Sequence, residues 1–137
     1  MSVNNKRVFY VKYLPNEIFT DILKTRPDVR LDRLENESSD QVSAPILAAA
    51  HAYQIGAARD ELAKHFHVDQ DLLQRAPNLL IVSSNGAGFD PVDVEACTAA
   101  GVLVVNQSGG NANSVAEHAL GMLLKIGKHT SELQSPC

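Results

Sequence analysis

Residues 79–126 constrain this chain more than any other stretch. They read LLIVSSNGAGFDPVDVEACTAAGVLVVNQSGGNANSVAEHALGMLLKI. The apolar run at 79–82 is long enough for a buried strand and too short for a helix. Asn85-Gly86-Ala87-Gly88 interrupts it, and glycines there permit a tight turn and close backbone approach. Asp90-Pro91 is expected to open a helix, with Asp90 as N-cap and Pro91 in the first helical position. Gly101 stands where that helix should stop. A second apolar run follows at 102–105, then the glycine loop Ser108-Gly109-Gly110, then a long apolar helix from about Ala112. Strand, loop, helix, strand, loop, helix is the grammar of a parallel sheet with crossover helices.

The preceding residues repeat that grammar more faintly. Residues 7–13 are rich in Val, Phe and Tyr and predict a first strand, ended by Leu14-Pro15-Asn16. Residues 17–24 carry Ile18, Phe19 and Ile22 at helical spacing. Residues 29–34 alternate apolar and charged, as a strand with one exposed face would. After a polar linker at 35–40, Ser39 or Asp40 can cap an Ala-rich helix over 42–50. A short third strand is expected at 51–55. Residues 56–64 fit either a loop or one helical turn. A helix over 69–75 ends before the turn Pro77-Asn78. Five strands alternating with helices predict an α/β fold, a flavodoxin-like doubly wound parallel sheet with flanking helices. In such sheets ligands meet the C-terminal ends of the strands, and both glycine loops fall there.

Gly86-Ala87-Gly88 is not a dinucleotide fingerprint. Pro91 occupies the place of the third glycine, and Asn106 stands where an acidic residue would close the next strand. Two readings of the turn remain open on the residues alone. Its glycines permit a strand-to-helix turn and nothing more, or its backbone N–H groups form an anion site suited to a small carboxylate. Asn111 likewise reads as an ordinary helix N-cap, a place for which Asn113 and Ser114 compete. His51, His65, His67, His118 and His129 are scattered without metal spacing and read as surface or structural side chains. Cys97 and Cys137 make neither a disulfide framework nor a zinc pattern, and Cys97 reads as a buried apolar residue.

Three pieces in order carry a resemblance: Gly86-Ala87-Gly88-Phe89-Asp90, Val104-Val105-Asn106 and Ser114-Val115-Ala116-Glu117-His118. Together they resemble the D-isomer-specific 2-hydroxyacid dehydrogenases, with the strong match over about 79–124. The resemblance implies a flavodoxin-like substrate domain at 1–110, an inter-domain and dimer helix at 111–128, and an atypical tail at 129–137. It implies that N–H groups at Ala87 and Gly88 hold the substrate carboxylate, and that Asn111 also contacts substrate. The nicotinamide end of the cofactor would lie near Ala112 and Val115. NAD or NADP is the implied family cofactor, and a small 2-keto or 2-hydroxy carboxylate the implied substrate.

The family's catalytic base, a histidine held by a glutamate, lies downstream of the Val-Ala-Glu-His helix. So do its arginine and its Gly-x-Gly-x-x-Gly loop. This sequence stops at Cys137 before reaching them. These 137 residues are therefore expected to be a truncated substrate-binding portion of the oxidoreductase. No catalytic residue is assigned, and no turnover or cofactor binding is expected of the chain alone. The alternative is a non-catalytic flavodoxin-like module binding a small anion or another protein.

Composition excludes other classes. A net charge of −4 argues against a nucleic-acid partner, which needs a basic face. Hydrophobic residues at 45% and charged residues at 20% are those of an ordinary globular domain. The N-terminus has no apolar core of signal-peptide length, and no apolar run reaches membrane-spanning length. A cytoplasmic location without a membrane partner is the expectation. The final helix is apolar over an arc of roughly 200°, where covering one sheet needs little over 100°. It is expected to be covered from two sides and to carry homo-oligomer contacts through 112–126.

Overall fold

A computed structural model of the protein describes residues 5–14 and 16–132, with 127–132 by backbone only. Readings that fall on residues 1–4, on Pro15, on the His129 side chain and on the tail beyond 132 with Cys137 lie outside the described residues. The chain divides into two compact units, at 1–107 and 108–137. The first holds β1 (Lys6–Val11), α1 (Glu17–Lys24), β2 (Val29–Leu34), α2 (Asp40–Ala49) and β3 (Ala52–Ile55). A 3-10 turn (Lys64–Phe66), α3 (Gln70–Arg75), β4 (Ile81–Ser84), α4 (Val94–Ala99) and β5 (Leu103–Val105) follow. The second unit holds α5 (Ala112–Glu132), which continues past the helix end expected at 128.

All strand pairs are parallel, and the order is β2-β1-β3-β4-β5. This is the flavodoxin-like order. Register places Asp32, Phe9, Tyr53, Val82 and Val104 in one row across the sheet. Phe9, Tyr53 and Val82 in that row are fully buried, and the core around them draws Leu47, Phe66 and Leu72 from the covering elements. The opposite face is shallower. Tyr10, Val29 and Leu31 line a crease with Leu23 of α1, but Leu103 of β5 is exposed.

Three expectations are corrected. The alternation of β2 does not leave all of its charges in water: Arg30 and Arg33 are exposed, but Asp32 is buried. Arg7 Nη2 donates to Asp32 at 2.7 Å and Arg30 Nε at 2.9 Å, so the carboxylate is buried with two guanidinium partners. The strand expected at 79–82 forms two residues later, as β4. The helix expected from Asp90-Pro91 begins at Val94, with Asp93 as its cap, accepting from Ala96 N–H at 2.9 Å. The reason is a non-local bridge. Val68 N–H donates to the Pro91 carbonyl and Asp93 N–H to the Val68 carbonyl, each at 2.8 Å, which holds 91–93 extended. Asp93→Ala is expected to cost about 1 kcal/mol and Asp90→Ala less than about 0.5 kcal/mol. Urea midpoints measure both, and the reverse ranking would put the helix start back at Asp90.

Gly101 ends α4 as expected. Its φ of +73° is the left-handed region. Val102 N–H returns to the Cys97 carbonyl at 2.8 Å and Gly101 N–H to the Thr98 carbonyl at 3.1 Å, closing the helix. Among the described residues no helix is long and apolar enough to cross a membrane.

Candidate functional site

β4 delivers the chain to the turn Gly86-Ala87-Gly88 at the C-terminal edge of the sheet. Asn85 N–H donates to the Ile55 carbonyl at 2.9 Å, and Gln54 Nε2 donates to Asn85 Oδ1, tying the turn to the end of β3. Glycine at 86 is a packing requirement. A Cβ there would stand 3.2 Å from the Ala57 methyl, closer than ordinary contact.

All three carbonyls of the turn are taken by the protein. Gly86 accepts from Gln107 N–H at 3.0 Å, Ala87 from Asn106 Nδ2 at 2.8 Å and Gly88 from Ser84 Oγ at 2.5 Å. A trans peptide is planar, with its C=O and N–H pointing opposite ways. Fixing the Gly86 carbonyl therefore fixes the Ala87 N–H, and fixing the Ala87 carbonyl fixes the Gly88 N–H. Ala87 and Gly88 are exposed, and neither N–H meets an acceptor among the described residues. Two adjacent backbone donors thus face away from the carbonyl partners. Such a pair can bind an anion by charge-assisted hydrogen bonds.

The turn does not suit a dinucleotide pyrophosphate. Pro91 is buried where a third glycine would stand, and α4 starts only at Val94. Beside it a small crease of about 190 Å³ is lined by Phe89, Val94, Val104, Val105 and Asn106.

The histidines of the first unit make their contacts away from this turn. His51 Nδ1 accepts from Arg7 N–H at 3.2 Å, and the ring of His65 tilts against Phe66. His67 Nε2 lies 3.2 Å from the carbonyls of Arg59 and Leu62. His118 is exposed on α5. No group of three metal-ligating side chains occurs among the described residues. Cys97 is buried, and burial first, then the Asp93 carboxylate, pushes its thiol pKa up, which makes it inert.

Asn111, Ala112 and Val115 fall in the second unit, at the start of α5. Val115 N–H donates to the Asn111 carbonyl at 3.0 Å, and Gly109 turns the chain before it with φ +81°. Asn111 therefore occupies the helix-entry position. The structure brings Ala87 and Gly88 together in one turn, and Asn111, Ala112 and Val115 together at one helix start. The sequence assigns no role to Ser84 and marks Asn106 only as the residue that ends a strand in the resemblance motif. Their polar side chains at strand ends beside a glycine turn were the available signal.

A five-stranded parallel sheet in this order, with free backbone donors at its carboxyl edge, defines a flavodoxin-like α/β domain. The family model described as D-isomer specific 2-hydroxyacid dehydrogenase, catalytic domain, matches residues 16–135, and the chain belongs to that family. It is 51% identical over 65 residues to the D-3-phosphoglycerate dehydrogenase of Mycobacterium leprae, across 47% of this chain and 12% of that protein. It is 37% identical over 62 residues to the glyoxylate reductase of Pyrococcus furiosus, across 45% of this chain and 18% of that protein. The solved D-lactate dehydrogenase from Aquifex aeolicus, complexed with NAD and lactic acid, shares the fold with a TM-score of 0.65 at 21% identity. That likeness covers 95% of this chain and 38% of the Aquifex chain. The matched segments thus span a minor part of each relative.

Proposed function

We propose that this chain is the substrate-binding portion of an NAD(P)-dependent oxidoreductase acting on the CH–OH group of D-2-hydroxy acids. Its part in the reaction is to hold the substrate carboxylate on the N–H groups of Ala87 and Gly88. Reduction of a 2-keto acid adds hydride to C2 and a proton to the carbonyl oxygen. The turn does neither, and instead fixes the neighbouring carboxylate so that C2 is presented in one orientation. Asn111 at the helix entry is the second substrate contact in this reading, with the nicotinamide end of the cofactor near Ala112 and Val115. The observation that carries the proposal is the pair of exposed N–H donors whose peptide carbonyls are already engaged.

These 137 residues contain no Gly-x-Gly-x-x-Gly sequence, so binding is the proper readout. Two charge-assisted hydrogen bonds contribute about 1.5–3 kcal/mol each, offset by the entropy of association. A millimolar dissociation constant, about −4 kcal/mol, is expected for glyoxylate or oxamate. Titration followed by amide shifts in NMR should move Ala87 and Gly88 most. Shifts clustered elsewhere, with these two amides still, would show the carboxylate reading to be wrong.

A further inference from the structure

We infer that Asn106 is a positioning residue for the anion-binding turn, setting the direction and strength of the Gly88 N–H donor. The inference rests on the carboxylate reading above. Asn106 lies just beyond β5, 19 residues from its partner, and its Nδ2 donates to the Ala87 carbonyl at 2.8 Å. That carbonyl and the Gly88 N–H are the two ends of one planar peptide. Holding the oxygen on one side turns the N–H to the other. A hydrogen bond to the oxygen also polarises the peptide and strengthens its N–H as a donor.

The neighbouring peptide is set independently. The Gly86 carbonyl, which opposes the Ala87 N–H, accepts from the backbone of Gln107 at 3.0 Å. A side-chain change at 106 therefore acts on one donor of the pair and leaves the other in place. Ser84 completes the frame from below. Its buried hydroxyl donates to the Gly88 carbonyl at 2.5 Å and lies 3.4 Å from the Gly86 N–H.

The test is an NMR titration of the 137-residue chain with oxamate, comparing wild type, Asn106→Ala and Asn106→Asp. In wild type both amides should shift. In Asn106→Ala the Gly88 response should fall severalfold while the Ala87 response persists, and affinity should drop about tenfold. A general loosening of the domain would weaken both amides together. Asn106→Asp presents a carboxylate to the Ala87 carbonyl and should abolish binding at neutral pH. Acidification towards the ordinary Asp pKa of about 4 gives that side chain an O–H donor and should restore it. Dispersed amide spectra confirm that each variant folds; should Asn106→Asp unfold, the residue-resolved Asn106→Ala comparison decides alone. If wild type binds through both amides and both folded variants bind equally well, the role of Asn106 is refuted while the carboxylate reading stands. If the wild-type amides do not respond at all, the carboxylate reading fails, and the inference with it.

Discussion

Tyr53→Ala is expected to cost the domain about 4 kcal/mol, the usual range for deleting a buried aromatic ring. Tyr53 sits on the central strand β3 with no exposure, and its ring stacks on Phe9 with centroids 4.1 Å apart. Its hydroxyl donates to the Phe66 carbonyl at 3.1 Å, anchoring the 3-10 turn to the sheet. Burial pushes the phenol pKa far up, so it stays a neutral donor. Tyr53→Phe keeps the ring and removes only the hydroxyl. It leaves a buried carbonyl without its donor and should cost about 1–2 kcal/mol. Against a total stability of about 5–15 kcal/mol, the alanine variant should lose a large share of the domain's stability and the phenylalanine variant a small one. Urea denaturation followed by far-UV circular dichroism measures both. An alanine midpoint indistinguishable from wild type would mean that the core is not organised around this ring.

The sequence carried this fold wherever the deciding contacts were local. α1 spans Glu17–Lys24, as Ile18, Phe19 and Ile22 predicted, because Asn16 caps it through the N–H of Ile18 at 2.9 Å. The bounds of β2 were legible for a similar reason, with a turn at Pro27-Asp28 before it and polar residues after it. Its burial was not legible. Asp32 pairs with Arg7, 25 residues away, and no local pattern announces that partner. β4 starts two residues after the apolar run does, because pairing with β3 and not hydrophobicity sets its bounds. Leu79 is buried without belonging to a strand, and Leu80 is exposed. Ser84 ends the strand in the core because its hydroxyl is satisfied by the turn that follows.

The candidate site divides the same way. Gly86-Ala87-Gly88 was visible as a turn, since glycine spacing is a local signal, and the family resemblance gave that turn a substrate. What orients its donors was not visible. The Asn106 and Gln107 contacts come from the residues just after the next strand, so they exist only once β4 and β5 pair. The start of α4 is another such case, since the sequence points to Asp90 as the cap and the helix is capped by Asp93. Only the bridge between Val68 and Val92 chooses between them.

Self-association of this chain is the second large effect expected, and it follows from the faces of α5. At about 100° per residue, Val115, Ala119, Met122 and Ile126 form one apolar stripe. Ala116, Leu120, Leu123 and Leu124 form a second stripe beside it. Glu117, His118, Gly121 and Lys125 occupy the remaining arc. A single covering surface buries little more than 100° of a helix, so it leaves one stripe in water. All described side chains of α5 are exposed in this chain, Leu123 and Leu124 by 66% and 71%. An apolar surface of that kind favours association, and we propose a homo-oligomer held through residues 112–126. Light scattering behind size exclusion should show mass rising with concentration across tens to hundreds of micromolar, an order-of-magnitude window in which such surfaces associate. A constant monomer mass over that window, with no hydrophobic dye bound, would sink the proposal. Leu120 and Leu124 stand one turn apart on the same stripe. Burying each is worth about 1.5–3 kcal/mol, so Leu120→Glu with Leu124→Glu should weaken association at least about 100-fold. The sheet signal in circular dichroism should be unchanged, since both residues lie in the second unit. If the double variant associates as before while Val115→Glu with Met122→Glu does not, the contact lies on the first stripe instead.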